Sequence, residues 1–407
     1  MTASRRPMRF SSRVDVSRPN AIAVAEAQAK SQGVELLKLN DSNPTRHGLA
    51  PDLVPWTYDA NPRGPLEARH ALAEFLSHGG VDDADSDPDD RPRRVVDPER
   101  LYLLSSTSEA YSWLIKLMCD PGDAVLSPKP GYPLIESIAR LESVETVEYA
   151  LHYDGSWTID VSQIEDLIDL YAGRIRVLVL INPNNPTGSY VKPVERERLV
   201  RCCAEHGMAI IADEVFYDYA LEPFDGNARL AGESGALTFA LDGFSKMLAA
   251  PHAKVGWIEV SGPDADVRQA MALLDVIADD FLPMSDLIAR RMPELLAAAP
   301  AQTARVRERV RGNLTYLKHL LAQDELGVTD VLHAEGGWNV LLRFPTAVDE
   351  SDLVLRLIRE HQASAQPGFF FDMTSNGYVA VSLLPEPDAF AHGVELLLSA
   401  IREELSC

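Results

Sequence analysis

The sequence predicts an α/β protein, with a mostly parallel, doubly wound sheet in a large domain and a smaller α+β domain after it. Three observations carry this expectation. Val177 to Ile181 is an unbroken apolar run, as required of a strand covered on both faces. Strand-like and helix-like stretches alternate from about residue 48 to 292, the pattern in which helices cross over between parallel strands. After Pro293 helix formers dominate, and then Gly336-Gly337 introduces shorter strands and one more helix.

Residues 1–47 read as an N-terminal arm that packs with the small domain, carrying a helix over Ala21 to Gln32 and a short strand over Leu36 to Leu39. The large domain spans 48–292. Its apolar Leu101 to Leu104 predicts a strand, and Ser105 to Ser108 a cap-rich turn. The next helix places Ala110, Trp113, Leu114, Leu117 and Met118 on one stripe, and Pro121-Gly122-Asp123 stops it. Pro193 opens a helix that Gly207 ends, and Met208 to Ala212 forms the next buried strand. Val255 to Val260 is a further strand candidate. The small domain, 293–407, begins with a long helix to about Ala322, with Val306, Val310, Leu314, Leu317 and Leu321 on one face. A strand over Trp338 to Phe344, a helix over Ser351 to His361 and a strand over Tyr378 to Leu384 follow.

A chain of 407 residues, 46% hydrophobic, can bury a large core divided between domains. Its net charge of -23 argues against nucleic acid and anionic membranes as partners. The Asp-rich stretch Asp82 to Asp90, with Arg91 to Arg94 after it, reads as a solvated loop. The four cysteines offer no C-x-x-C pair, so neither a zinc site nor a disulfide framework is indicated, and Cys119 reads as a small core hydrophobe. No apolar run has the length of a signal peptide or a membrane span, so a reduced, cytoplasmic protein is expected. Neither G-x-G-x-x-G nor G-x-x-x-x-G-K-[ST] occurs, which disfavours nucleotide enzymes. No basic helix-turn-helix segment supports a DNA-binding regulator.

The chemistry-bearing residues come in a fixed order: Asn185 within Asn182-Pro-Asn-Asn-Pro-Thr-Gly188, then Asp213 directly after a buried strand, then Lys246 in Gly243-Phe-Ser-Lys246. An amine, a carboxylate and an amide are what a pyridine aldehyde needs: the amine forms a Schiff base, the acid keeps the ring nitrogen protonated, and the amide hydrogen-bonds the ring hydroxyl. Each alone has a plainer use, as a surface lysine, a capping aspartate or a turn asparagine. Their order and spacing outweigh it. The set resembles fold-type I pyridoxal 5′-phosphate (PLP) enzymes, the aspartate aminotransferase superfamily of class I/II aminotransferases, from about residue 35 to 400.

That resemblance implies a phosphate cup at Ser106, Thr107 and Ser108, before a helix whose free N–H groups attract a dianion. It implies Tyr132 stacking on the ring, and Lys254 where the family has an arginine on the phosphate. It also implies Ser245 as a further donor, since Gly243 lacks the usual hydroxyl. Tyr58 resembles the tyrosine that reaches the phosphate of a neighbouring subunit, which implies a homodimer with composite sites. No metal is implied. Two departures stand out. Phe216 occupies the position of a tyrosine, with Tyr217 beside it. Ala380, in Val379-Ala-Val-Ser382, replaces the arginine that forks onto the substrate carboxylate. Arg46, near Asn43, is a candidate replacement, and Asp279-Asp280 disfavours a dicarboxylic side chain. The expected activity is PLP-dependent transfer of an amino group between an amino acid and a 2-oxo acid, in amino acid metabolism. The alternative is a PLP lyase, synthase or oxidase on the same scaffold.

Overall fold

The computed structural model describes residues 6–14, 21–34, 43–81, 94–222 and 226–406. The strand expected over Leu36 to Leu39 and the Asp82 to Asp90 stretch lie outside the described residues. The elements up to the long helix are α1 (Ala21–Ser31), α2 (Leu66–Ser77), β1 (Leu101–Leu104), α3 (Thr107–Met118), β2 (Ala124–Lys129), α4 (Leu134–Leu141), β3 (Glu145–Tyr153), β4 (Trp157–Ile159), α5 (Val161–Leu170), β5 (Ile175–Ile181), α6 (Pro193–His206), β6 (Ala209–Asp213), β7 (Thr238–Gly243), β8 (Gly256–Ser261), α7 (Asp264–Phe281) and α8 (Asp286–Ala289).

Eight strands form one sheet in the order β1-β8-β7-β6-β5-β2-β3-β4. The central ones, β2, β3, β5, β6 and β7, are parallel to their neighbours in that group. Burial on both faces is visible residue by residue. Val177 and Val179 of β5 join the cluster made with α3 and α7, whereas Leu178 and Leu180 pack towards α5 and α6. Burying each such side chain contributes roughly 1.5–3 kcal/mol. Strand β8 runs antiparallel to β7, because the link between them, residues 244–255, holds only a short 3-10 turn and no crossover helix. That link therefore hangs off the carboxyl end of β7. Strand β1 pairs antiparallel with β8, Leu104 opposite Gly256, which brings the start of α3 beside the same link.

Helix α9 (Met292–Gln323) follows; at 1.5 Å per residue it is about 48 Å long. Met292, Leu296 and Ala299 belong to the cluster that includes α2, and Val306, Val310, Leu314 and Leu317 to a second core. That core contains β9 (Asp330–Val331), β10 (Asn339–Arg343), α10 (Glu350–Glu360), β11 (Gln366–Pro367), β12 (Tyr378–Ser382) and α11 (Pro387–Ser406), whose strands form an antiparallel sheet in the order β11-β12-β10-β9. The predicted elements recur within a residue or two of their expected ends.

Arg94 departs from the solvated reading of its run. Its guanidinium pairs with the buried carboxylate of Glu259 on β8. Cys119 is fully buried, and burial pushes its thiol up to about 12, as befits an inert core residue. Among the described residues, no helix is long and apolar enough to cross a membrane.

Candidate active site

Three parallel strands deliver functional groups to one edge of the large sheet. Strand β5 ends at Ile181 and leads into the Asn182–Gly188 turn, β6 ends on Asp213, and β7 leads into the link that holds Lys246 and Lys254. Carboxyl ends of parallel strands are where a doubly wound sheet opens a crevice. A cavity of about 990 Å³ lies there, between the large sheet and the second sheet with α10 and α11. Ser106, Thr107, Ser108, Tyr132, Asn185, Asp213, Ser245, Lys246 and Lys254 all line it.

The lysine's backbone is held firmly. The Tyr219 hydroxyl donates to the Lys246 carbonyl at 2.6 Å and to that of Met247 at 3.2 Å, and the Thr303 hydroxyl donates to Met247 at 2.6 Å. Ala249 closes the turn by donating to the Lys246 carbonyl at 2.8 Å. The amine itself has no hydrogen-bond partner among the described residues. Its Nζ stands 5.2 Å from the ring centroids of both Phe216 and Trp338. Burial lowers its pKa below that of an ordinary lysine, against the opposing pull of the Asp213 charge. Such an amine holds its proton loosely, which suits a nucleophile and proton carrier.

Asp213 is half-buried beside Tyr111. That hydroxyl donates to Asp213 Oδ2 at 2.9 Å, and the backbone N–H of Val215 donates to Oδ1 at 3.3 Å. Burial nevertheless raises the Asp213 pKa, the hydrogen bonds and Lys246 only moderating the rise. A cationic partner in the cavity would favour its ionised form. Asn185 accepts a hydrogen bond at Oδ1 from Asn339 Nδ2 at 3.0 Å. That bond ties the turn to β10 and leaves the amide nitrogen of Asn185 as donor.

At the start of α3, Ser106 caps the helix by accepting from the Glu109 N–H at 3.2 Å. Thr107 and Ser108 are not drawn into the cap, and among the described residues no protein group claims their hydroxyls. Gly256 is what lets β8 lie so close: a Cβ there would stand 2.9 Å from the Ser106 carbonyl carbon and 3.0 Å from the Thr107 nitrogen. Lys254 sits at φ 52 in the left-handed region, a conformation that costs a lysine of order 1 kcal/mol. Hydroxyls, free helix N–H groups and a cation in the same cavity as an acid, an amide and an amine fit a phosphorylated pyridine ring.

Tyr58, Asn43 and Arg46 are not brought to this cavity. They cluster with one another instead: Asn43 Nδ2 donates to the Tyr58 carbonyl at 2.7 Å, the Tyr58 N–H donates to Thr45 Oγ1 at 2.8 Å, and Arg46 pairs with Asp59 at 2.8 Å. Tyr58 is 40% exposed. Phe216 lines the cavity, while its neighbour Tyr217 does not. The Tyr217 ring lies 4.2 Å from the Arg229 guanidinium and edge-on to Tyr190, so it offers the lysine no hydroxyl. Ala380 lines the cavity, opposite Leu341 on β10. Asp279 and Asp280 are exposed on the last turn of α7 and lie off the cavity wall.

Sequence reasoning missed Tyr111, Tyr219, Trp338 and Asn339. Tyr111 had a weak signal, as the polar tip in an otherwise apolar helix stripe.

The family profile described as aminotransferase class I and II matches residues 59–388. A glutamate-pyruvate aminotransferase of Haemophilus influenzae is 28% identical over 264 residues, covering 61% of this chain and 60% of the relative. An alanine aminotransferase of Mycobacterium tuberculosis is 30% identical over 252 residues, covering 58% of this chain and 54% of the relative. The match thus spans little more than half the length of these relatives. A solved alanine aminotransferase of Pyrococcus furiosus superposes with a TM-score of 0.72 at 18% identity, over 94% of this chain and 96% of that one, and shares the fold.

Proposed function

Because the chain belongs to the class I and II aminotransferase family, we propose that it is a PLP-dependent aminotransferase, moving an amino group from an amino donor to an oxo acceptor. The observation that carries the reading is the convergence of Lys246, Asp213 and Asn185 with the Ser106–Ser108 cup and Lys254 on one cavity wall. When bound, the cofactor supplies an aldehyde to which an amine can be linked and a ring that accepts an electron pair.

The chain's residues do the rest. Lys246 would hold the cofactor through its amine and, with that amine free, would carry the proton to and from the donor's amine-bearing carbon. Its lowered pKa supports that role, since burial makes the neutral amine easier to reach than in an ordinary lysine. Asp213, held by Tyr111, keeps the ring nitrogen protonated. Asn185 donates to the ring hydroxyl, and Tyr132 covers the ring face. Ser106, Thr107, Ser108, Ser245 and Lys254 hold the phosphate, Lys254 as a point charge rather than a fork. Tyr58 acts across a dimer interface, a role supported by its exposure and by its absence from the lining of the chain's own cavity.

A lyase reading retains support from Phe216, which gives Lys246 no hydroxyl neighbour where a tyrosine would, and from the uncharged Ala380. One measurement separates the cases and a second tests the Tyr58 role. Protein reconstituted with PLP and supplied with amino donors and 2-oxo acids should form amino product in step with donor loss; donor loss without amino product would exclude transamination. Sedimentation should give a dimer, and a monomer that turns over normally would remove Tyr58 from the site.

A further inference from the structure

The cavity has two walls of opposite character. On the large-sheet side stand Asp213, Lys246 and Lys254, all assigned to the cofactor above. Among the described residues, the other wall, from Asn339 onward, has no charged side chain. Its floor is Leu357, Phe390, Val394 and Leu397, each at most 3% exposed and part of the second core. Ala380 continues that floor, and its rim adds only small or neutral groups such as Ala363 and Ser364. Arg46, the arginine singled out from the sequence, is paired with Asp59 and does not line the cavity.

A carboxylate desolvated against such a wall finds no cation there among the described residues, and its burial is costly unless it is paired. An apolar group placed there gains from every square ångström removed from water. We propose that this chain acts on primary amines whose amine-bearing carbon carries an apolar, uncharged body, which rests on the Leu357–Phe390–Val394–Leu397 floor, and that it gives no recognition to an α-carboxylate. The inference rests on the aminotransferase reading and narrows its substrate. In the balanced reaction the donor amine becomes an aldehyde or ketone and an oxo acceptor becomes an amine. Lys246 takes the proton from the donor carbon, the donor's electron pair and amino group end on the acceptor, and no outside oxidant is consumed.

The test compares matched compounds on full-length holoprotein. 3-Methylbutylamine and leucine differ only by the carboxylate. The cofactor's visible band should be discharged by the amine with an apparent second-order constant at least tenfold above that of leucine. In calorimetry, the unreactive 4-methylpentanamide should bind at least tenfold more tightly than 4-methylpentanoate. Preference for leucine or for the carboxylate analogue overturns the inference, as does a band that neither amine discharges. In each of those outcomes an intact band leaves the cofactor assignment standing, whereas failure to form any band on reconstitution overturns both.

Discussion

Replacing Tyr111 with Phe removes one oxygen and tests whether Asp213 works as an anion. The Tyr111 hydroxyl is one of two donors to that carboxylate, and the shorter, at 2.9 Å against 3.3 Å from Val215. A hydrogen bond to a charged group contributes about 1.5–3 kcal/mol, and about 1.4 kcal/mol is a factor of ten in an equilibrium. Phe keeps the ring that packs in the core, where Tyr111 is 1% exposed, so the fold should survive. The direction follows from the cause: the hydroxyl holds the Asp213 pKa down, against burial. Without it, protonated Asp213 persists to higher pH. The turnover number with any good donor should fall about 10- to 100-fold at neutral pH, and the deficit should shrink as pH rises, moving the acidic limb of the rate profile upward. A uniform loss at every pH would show a packing effect instead, and an unchanged profile would refute the role given to Asp213.

Other substitutions probe the scaffold around the same groups. Gly256→Ala drives a methyl group against the Ser106–Thr107 backbone, an overpacking that costs about 1–3 kcal/mol. PLP affinity should weaken by about tenfold or more, measured by equilibrium titration. Gly312→Ala, with open space around its Cβ, should instead stabilise helix α9 by about 0.5–1 kcal/mol in chemical denaturation. Tyr219→Phe strips donors from the Lys246 and Met247 carbonyls and should cost about 1–3 kcal/mol of stability; an unchanged midpoint would deny that the lysine turn is held this way. Lys246→Met should raise the melting temperature of the apoprotein at pH 6. A lysine with a lowered folded-state pKa binds its proton less well than the unfolded chain does, so its penalty is greatest at low pH. That penalty is relieved as pH climbs through the folded value towards the unfolded value of about 10.4. The difference between variant and parent should therefore close in alkaline buffer.

The large sheet was legible because its strands are buried on both faces and read as unbroken apolar runs, such as Val177 to Ile181. That Asn185, Asp213 and Lys246 would line one cavity could be read because the first two sit just past such a run and Lys246 follows the mixed run Ala236 to Leu241, and loops at carboxyl strand ends converge. The direction of β8 was not: an apolar run looks the same in either sense, and only the lack of a helix between 244 and 255 decides it. Tyr111 and Trp338 were hidden by their own bulk, since an aromatic among apolar neighbours reads as core until its tip or face is seen against Asp213 or Lys246. Phe216 and Tyr217 posed a question of side-chain direction, which adjacent positions in a turn do not settle. Tyr217 turns towards Arg229, drawn by the cation over its ring and its edge contact with Tyr190.

The most direct measurement is chemical trapping of the lysine. Protein reconstituted with PLP, reduced with borohydride and digested, should carry a single phosphopyridoxyl group on the peptide containing Lys246, and the label should vanish in Lys246→Ala. A label on another lysine, or none while the enzyme remains active, would contradict the account.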